Sequence, residues 1–142
     1  MAGFGVTASS TYTESGIDIQ QVNATIGKIQ LPGLSKNVTN VTLYYEKNGF
    51  STRVSQRRRS DYVGEIGDFA GDRQLRYVVG ENVTDFQLGY TFNQGTYKGL
   101  GFLVQVNNLN DSAYETYATS KDRQLEYAKY GRTLLVGANY KF

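Results

Sequence analysis

Two sets of side chains in this chain are suited to holding a ligand, and neither is suited to breaking a bond. The first is Asp61, Tyr62, Tyr114 and Tyr117, with Asp68, Asp111 and Tyr127 in the same polar segments. Phenols and carboxylates grip a sugar or a chelate equally well through hydrogen bonds and ring faces. The second is Arg53, Arg57, Asp85, Gln87, Gln105 and Asn107, with Arg59 and Lys141, each on the polar side of an alternating segment. Such residues can line a passage or touch an inserted domain, though a merely solvated face is the plainer reading of any one of them. Chemistry beyond binding lacks its usual agents. The chain has no His and no Cys, so the commonest general base and the commonest metal ligand are missing. The carboxylates show no spacing of a glycosidase pair. Gly3-Phe4-Gly5 and Gly99-Leu100-Gly101 lack the following helix that a dinucleotide fingerprint requires. No catalytic site, metal or cofactor is expected.

The elements that must carry these residues are strands. The chain of 142 residues has 16 Gly, 12 Tyr and 7 Phe but a single Pro and no Trp, a composition that favours strands and turns over helices. The alternation is clearest at the C-terminal end. Tyr130, Arg132, Leu134, Val136, Ala138, Tyr140 and Phe142 oppose Gly131, Thr133, Leu135, Gly137, Asn139 and Lys141. Successive strand side chains point to opposite faces, so one face is greasy and aromatic while the other is small and mostly polar. The same alternation recurs in Phe4–Tyr12, Val41–Tyr45, Phe50–Val54, Phe86–Phe92 and Leu100–Val106. About six strands are expected. Arg57-Arg58-Arg59 is split between the two faces by this alternation and makes no single patch. With a formal charge of only +2, no nucleic-acid partner is expected.

The connections alternate in length. Lys47-Asn48-Gly49 reads as a tight hairpin turn, because Asn-Gly supplies the positive φ such turns need. Asn93–Tyr97 reads as a second short turn. Between them lie long polar connections over roughly 14–37, 60–82 and 109–129. Outer-membrane barrels show this asymmetry, with short periplasmic turns and long extracellular loops. A ten-residue strand tilted by about 45° spans about 24 Å, which matches an apolar band about 25 Å tall. Tyr12, Tyr45, Tyr90, Phe92, Tyr140 and Phe142 fall near strand ends, where interfacial aromatic girdles sit. Gln56 and Arg58 stand on the outward face, so that strand is expected to leave the membrane around Gln56. The plainer alternative is a soluble antiparallel sheet whose aromatic face is a core.

Several segments in order resemble one family. Asn107-Asn108-Leu109-Asn110-Asp111, Tyr130-Gly131-Arg132 and the ending Tyr140-Lys141-Phe142 resemble the C-terminal end of TonB-dependent outer-membrane receptors. Leu31–Lys36, Leu43–Phe50 and Arg59-Ser60-Asp61-Tyr62 are similar to that family as well. The resemblance implies a barrel of about 22 strands plugged by an N-terminal domain, of which this chain would be the last six strands. It implies uptake of a nutrient such as a siderophore or an oligosaccharide, energised through the TonB coupling protein. The chain lacks the plug, so it would not be competent for transport alone. The implied setting is the outer membrane of a Gram-negative bacterium, with lipid around it and the barrel-assembly machinery as a further partner. Leu134, Val136, Ala138, Tyr140 and terminal Phe142 are similar to the signal that machinery reads, although the same residues would also simply face lipid.

Met1-Ala2-Gly3-Phe4 passes directly into alternating sequence with no basic and apolar leader, so a mature chain or a fragment is expected. The competing expectation is a complete small barrel with a structural or adhesion role. It would need at least about eight strands, and Ile17-Asp18-Ile19 with Val22–Ile29 offers the only spare hairpin.

Overall fold

Alternation at a period of two, with little to favour a helix, yields strands along the whole chain. The computed structural model describes residues 3–20, 25–69 and 72–142. Its strands are β1 (Phe4–Tyr12), β2 (Ile17–Gln20), β3 (Thr25–Ile29), β4 (Asn37–Lys47), β5 (Phe50–Arg59) and β6 (Tyr62–Phe69). They continue as β7 (Asp72–Val78), β8 (Asn82–Thr91), β9 (Leu100–Asn107), β10 (Tyr114–Ala118), β11 (Gln124–Ala128) and β12 (Thr133–Tyr140). All the pairings are antiparallel.

The six expected strands form one sheet in the order β1-β4-β5-β8-β9-β12. Its register puts an unbroken apolar row across all of them: Val6, Leu43, Val54, Phe86, Val106 and Leu134. One residue along, the other face carries Gly5, Tyr44, Arg53, Gln87, Gln105 and Leu135. Register is specified this firmly because a slip by one residue would exchange the two faces. Gln56 and Arg58 lie on the apolar side, as expected from the alternation, opposite Thr84 and Asn82.

The turns confirm the length asymmetry and adjust one boundary. Asn48 and Gly49 have φ of 52° and 86°, the consecutive left-handed conformations of a type I′ hairpin turn. A Cβ on Gly49 would also run into the Thr91 carbonyl oxygen. The second short turn is longer than Asn93–Tyr97 and fills Phe92–Gly99, closed by Gly99 N–H donating to Phe92 O at 2.8 Å. Both short turns lie at one end of the sheet and the three long connections at the other.

The long connections are not irregular loops, and here the sequence reading is corrected. β11-β10-β7-β6 form a second, four-stranded sheet, and β2-β3 form a separate hairpin. Together they make a cap at the long-connection end. Its core is Ile29 and Val63, with Ile17, Ile66, Leu75 and Tyr77 packed against them. Strict alternation misses it because the β6–β7 register shifts between Val63 and Glu65. The bulge at Gly64 brings Val63 and Ile66, three apart in sequence, onto one face with Tyr77 and Leu75. A second bulge interrupts β10–β11 between Thr116 and Tyr117. The hairpin of Ile17 with Ile29 does form, but it joins the cap and does not extend the six-stranded sheet; Val22 lies outside the described residues.

The chain is therefore all-β and antiparallel, and among the described residues the large sheet is open. β1 pairs only with β4 and β12 only with β9.

Candidate functional site

Arg53, Arg57, Asp85, Gln87, Gln105 and Asn107 all fall on the polar face of the large sheet, because each sits one residue out of step with the apolar row. Arg53 is paired with Gln87, and Gln87 with Gln105. Gln105 Nε2 donates to Asn107 Oδ1 at 2.8 Å. Arg53, Asp85, Gln87, Gln105 and Asn107 share a small cavity of about 180 Å³. Arg57 lies further towards the cap and forms a loose ion pair with Glu81, Nε to Oε1 at 3.6 Å.

Asp85 is held by the backbone. Its Oδ1 accepts the backbone N–H of Asn108 at 2.9 Å. That contact belongs to a clamp built by the Asn107–Asp111 run. Asn108 has a φ of 55° and Asp111 of 54°, left-handed positions that Asn and Asp tolerate better than most residues. Asn110 Oδ1 accepts Thr84 N–H at 2.9 Å, and Asn110 Nδ2 donates to Asn82 O at 2.6 Å. Asn108 Nδ2 donates to Ser112 O and Gly131 O. The clamp extends the β8–β9 pairing past its end and ties it to the start of β12. Asp111 Oδ2 pairs with Lys129 Nζ at 2.6 Å, and the carboxylate holds that ammonium above its ordinary pKa. Alternation gave no sign of this role for Asn108 and Asn110; the left-handed tolerance of Asn and Asp was the available signal.

The cap brings the first set of candidates together at its junction with the polar face. Tyr62 opens β6 and Tyr114 opens β10, and with Tyr130, Arg57, Arg59 and Glu81 they line a cavity of about 280 Å³. The Arg59 guanidinium lies over the Tyr62 ring at 3.9 Å from its centroid. Its Nε donates to the buried Ser35 hydroxyl at 3.0 Å. Tyr114 remains accessible in part, and burial followed by the neighbouring Tyr62 and Glu126 raises its pKa. It is therefore a neutral phenol at any physiological pH, able to donate or accept.

Asp61 and Tyr117 do not line this cavity; they hold the cap together. Asp61 Oδ1 accepts Gly80 N–H at 2.7 Å, and Oδ2 accepts the Tyr117 hydroxyl at 3.2 Å. Lys121 Nζ reaches the same Oδ2 at 2.8 Å. Burial pushes the Asp61 carboxyl up, but Lys121, the Gly80 N–H and the Tyr117 hydroxyl together outweigh it and leave the pKa below the ordinary value. Tyr117 is only 8% exposed and stacks on Tyr77 at 5.2 Å with 10° between the ring planes. Its hydroxyl is committed to Asp61, so it positions and does not offer itself to a ligand. Tyr127 is exposed on β11. The Asp68 side chain lies outside what the structure describes.

Comparison with protein-family models, with curated proteins and with solved structures returns no match. The site offers one aromatic, partly charged cleft under a cap and one hydrogen-bonding face below it. Among the described residues, no group of His, Cys, Asp and Glu is arranged to hold a metal ion. At the C-terminal end, Leu134, Val136, Ala138 and Tyr140 share the apolar face with Val106, Val104, Phe102 and Leu100, and the Phe142 ring lies 6.0 Å from that of Tyr140.

Proposed function

We propose that this chain is a membrane-spanning stretch of an outer-membrane β-barrel of the TonB-dependent receptor type, acting in nutrient uptake and not as an enzyme. One observation carries the reading: the apolar row of the six-stranded sheet runs unbroken from β1 to β12, exposed on the outer strands and half-buried at Phe86 and Val106. Phe4 is 73% exposed, Val6 68%, Leu134 64% and Val136 73%. A soluble protein would leave an apolar patch of this extent uncovered only at a cost, whereas lipid tails solvate it. The cap occupies the end of the sheet and leaves this face open.

Three further features support the reading. Short turns lie at one end and long connections at the other, the arrangement of outer-membrane barrels. The opposite face is polar, which suits a lumen or contact with a plug. In this reading further strands of the same barrel pair with the free edges of β1 and β12, because unpaired backbone groups in lipid cost several kcal/mol each, by general estimates about the price of a lost hydrogen bond in hydrocarbon. The cleft under the cap, with Tyr62, Tyr114 and Tyr130 beside the Arg57–Glu81 pair, then faces inward at the outer mouth. It would contact a siderophore or an oligosaccharide on entry. Leu134, Val136, Ala138, Tyr140 and Phe142 would present the assembly signal as well as facing lipid.

The absence of Trp makes the test direct. Single Trp residues are placed in turn at positions 133 to 140, and fluorescence is read in bilayers containing brominated lipid. Quenching should rise and fall with a period of two, strong at 134, 136 and 138 and weak at 133, 135 and 137. Uniform quenching, or none, would reject the membrane-spanning reading.

A further inference from the structure

The lipid-side rim of the sheet at its cap end carries positive charge without a partner. Arg58 stands on the apolar side, paired across the sheet with Thr39 and Asn82. Lys36 lies immediately before β4, its Nζ 5.3 Å from the centroid of the Tyr12 ring. Both line one broad depression of about 910 Å³. The acids that also border it are engaged elsewhere: Asp61 by Lys121 at 2.8 Å and Glu81 by Arg57 at 3.6 Å. The Tyr12 hydroxyl, and after it Glu14, favours the charged form of Lys36, but Glu14 is not within ion-pair distance. Among the described residues, neither Lys36 nor Arg58 has a carboxylate partner.

The height of this patch is informative. From the Phe50–Tyr90 row to the Arg58–Asn82 row the sheet advances eight residues. At about 3.4 Å per residue that is about 27 Å along the strand. A tilt of 35–45° reduces it to roughly 19–22 Å, close to the full height of a barrel's apolar band at about 25 Å. The aromatic pair marks one boundary, so the cationic pair stands at the other. There a cation costs little, and there the headgroups lie.

We propose that Lys36 and Arg58, with the Tyr12 ring and the Thr39 and Asn82 side chains beside them, form a docking site for the headgroup phosphate of a membrane lipid of net negative charge in the outer leaflet. Two cations without a carboxylate partner attract an anionic phosphodiester, and the guanidinium can hold two of its oxygens at once. The apolar row below them continues along the lipid's acyl chains. The inference rests on the membrane-spanning reading above.

Native mass spectrometry of the full chain in neutral detergent tests it, with phosphatidylglycerol titrated against phosphatidylcholine. One phosphatidylglycerol should be retained preferentially. Lys36→Gln/Arg58→Gln should weaken its retention about 25-fold, each cation near a lipid surface being worth about fivefold, while Lys47→Gln/Lys98→Gln at the opposite end should change it less than about twofold. Arg58→Lys should restore part of the loss in a Lys36 background, which separates loss of a contact from loss of the fold. Equal retention of the two lipids, or full retention by the Lys36→Gln/Arg58→Gln variant, overturns the proposal. Displacement by millimolar inorganic phosphate would assign the site to free phosphate and overturn the lipid as its occupant. A chain that stays monodisperse without detergent and takes up no lipid would instead defeat the membrane-spanning reading itself.

Discussion

The Tyr117 hydroxyl donates to Asp61 Oδ2 across 56 residues of sequence, at 3.2 Å. This contact joins the start of the second long connection to the middle of the third. Around it the same carboxylate takes Gly80 N–H and the Lys121 ammonium, so one side chain ties three points of the cap together.

Replacing Asp61 by Ala should therefore loosen the cap without disturbing the large sheet. It leaves the Gly80 N–H and the Tyr117 hydroxyl without their acceptor, a loss of about 1–3 kcal/mol. The Lys121 contact adds little, since that side chain is 69% exposed. The sign with pH follows from the lowered pKa of Asp61. A carboxyl whose pKa is depressed on folding stabilises above its unfolded value, near 3.9, and loses that stabilisation as pH falls through the folded value. Protease cleavage near 119–123 should thus be slow and constant from neutral pH down to about 5 and quicken only below about 4. The Ala variant should be cleaved faster at neutral pH and show no such acid step; an unchanged acid step would remove Asp61 as its source.

Thr116 is completely buried, and its Oγ1 accepts from Arg76 Nε at 3.3 Å and Nη2 at 3.2 Å. Arg76 also reaches Glu126 at 2.7 Å and Glu65 at 3.6 Å, so its guanidinium links β6, β7, β10 and β11. Thr116→Val keeps the shape and removes the acceptor. The expected cost is about 0.5–1.5 kcal/mol, that of one ordinary hydrogen bond, because Arg76 is about one-third exposed and keeps Glu126 as a partner. Hydrogen exchange at the β7–β10 amides should accelerate accordingly, while exchange in β4 and β5 stays as it was. Equal acceleration in both sheets would mean that cap and sheet unfold as one unit.

Val136 and Leu135 are neighbours in sequence on opposite faces of β12, opposite Val104 and Gln105. In a bilayer, Val136→Arg should destabilise by about 2–4 kcal/mol if it lies near mid-membrane. Leu135→Arg points to the polar side and should cost far less. Urea titration of the two variants in the same lipid measures the difference. A larger loss for Leu135→Arg would reverse the assignment of the faces.

Much of this architecture was legible residue by residue. The row from Val6 to Leu134 follows from a period of two that persists through six segments, and Asn48-Gly49 announces its own turn. The polar-face candidates from Arg53 to Asn107 followed from the same parity, and the structure keeps them together. The cleft was legible only as a composition of Tyr and Asp. Nothing local says that Tyr62 and Tyr114 meet, or that Tyr117 turns inward while Tyr114 stays at the surface.

The sequence by itself determined the antiparallel spans, their two faces and the ends at which they turn, because alternation and turn chemistry are properties of adjacent residues. Only the tertiary structure decided the cap. Its strands are short and three of its pairings shift register, so the apolar residues fall out of step, as Val63 and Ile66 do around Gly64. Its pairings join segments about forty residues apart, such as Arg76 and Thr116. Such contacts form because each long connection can bury its few apolar side chains only against another, an outcome set by their mutual packing and carried by no one segment alone.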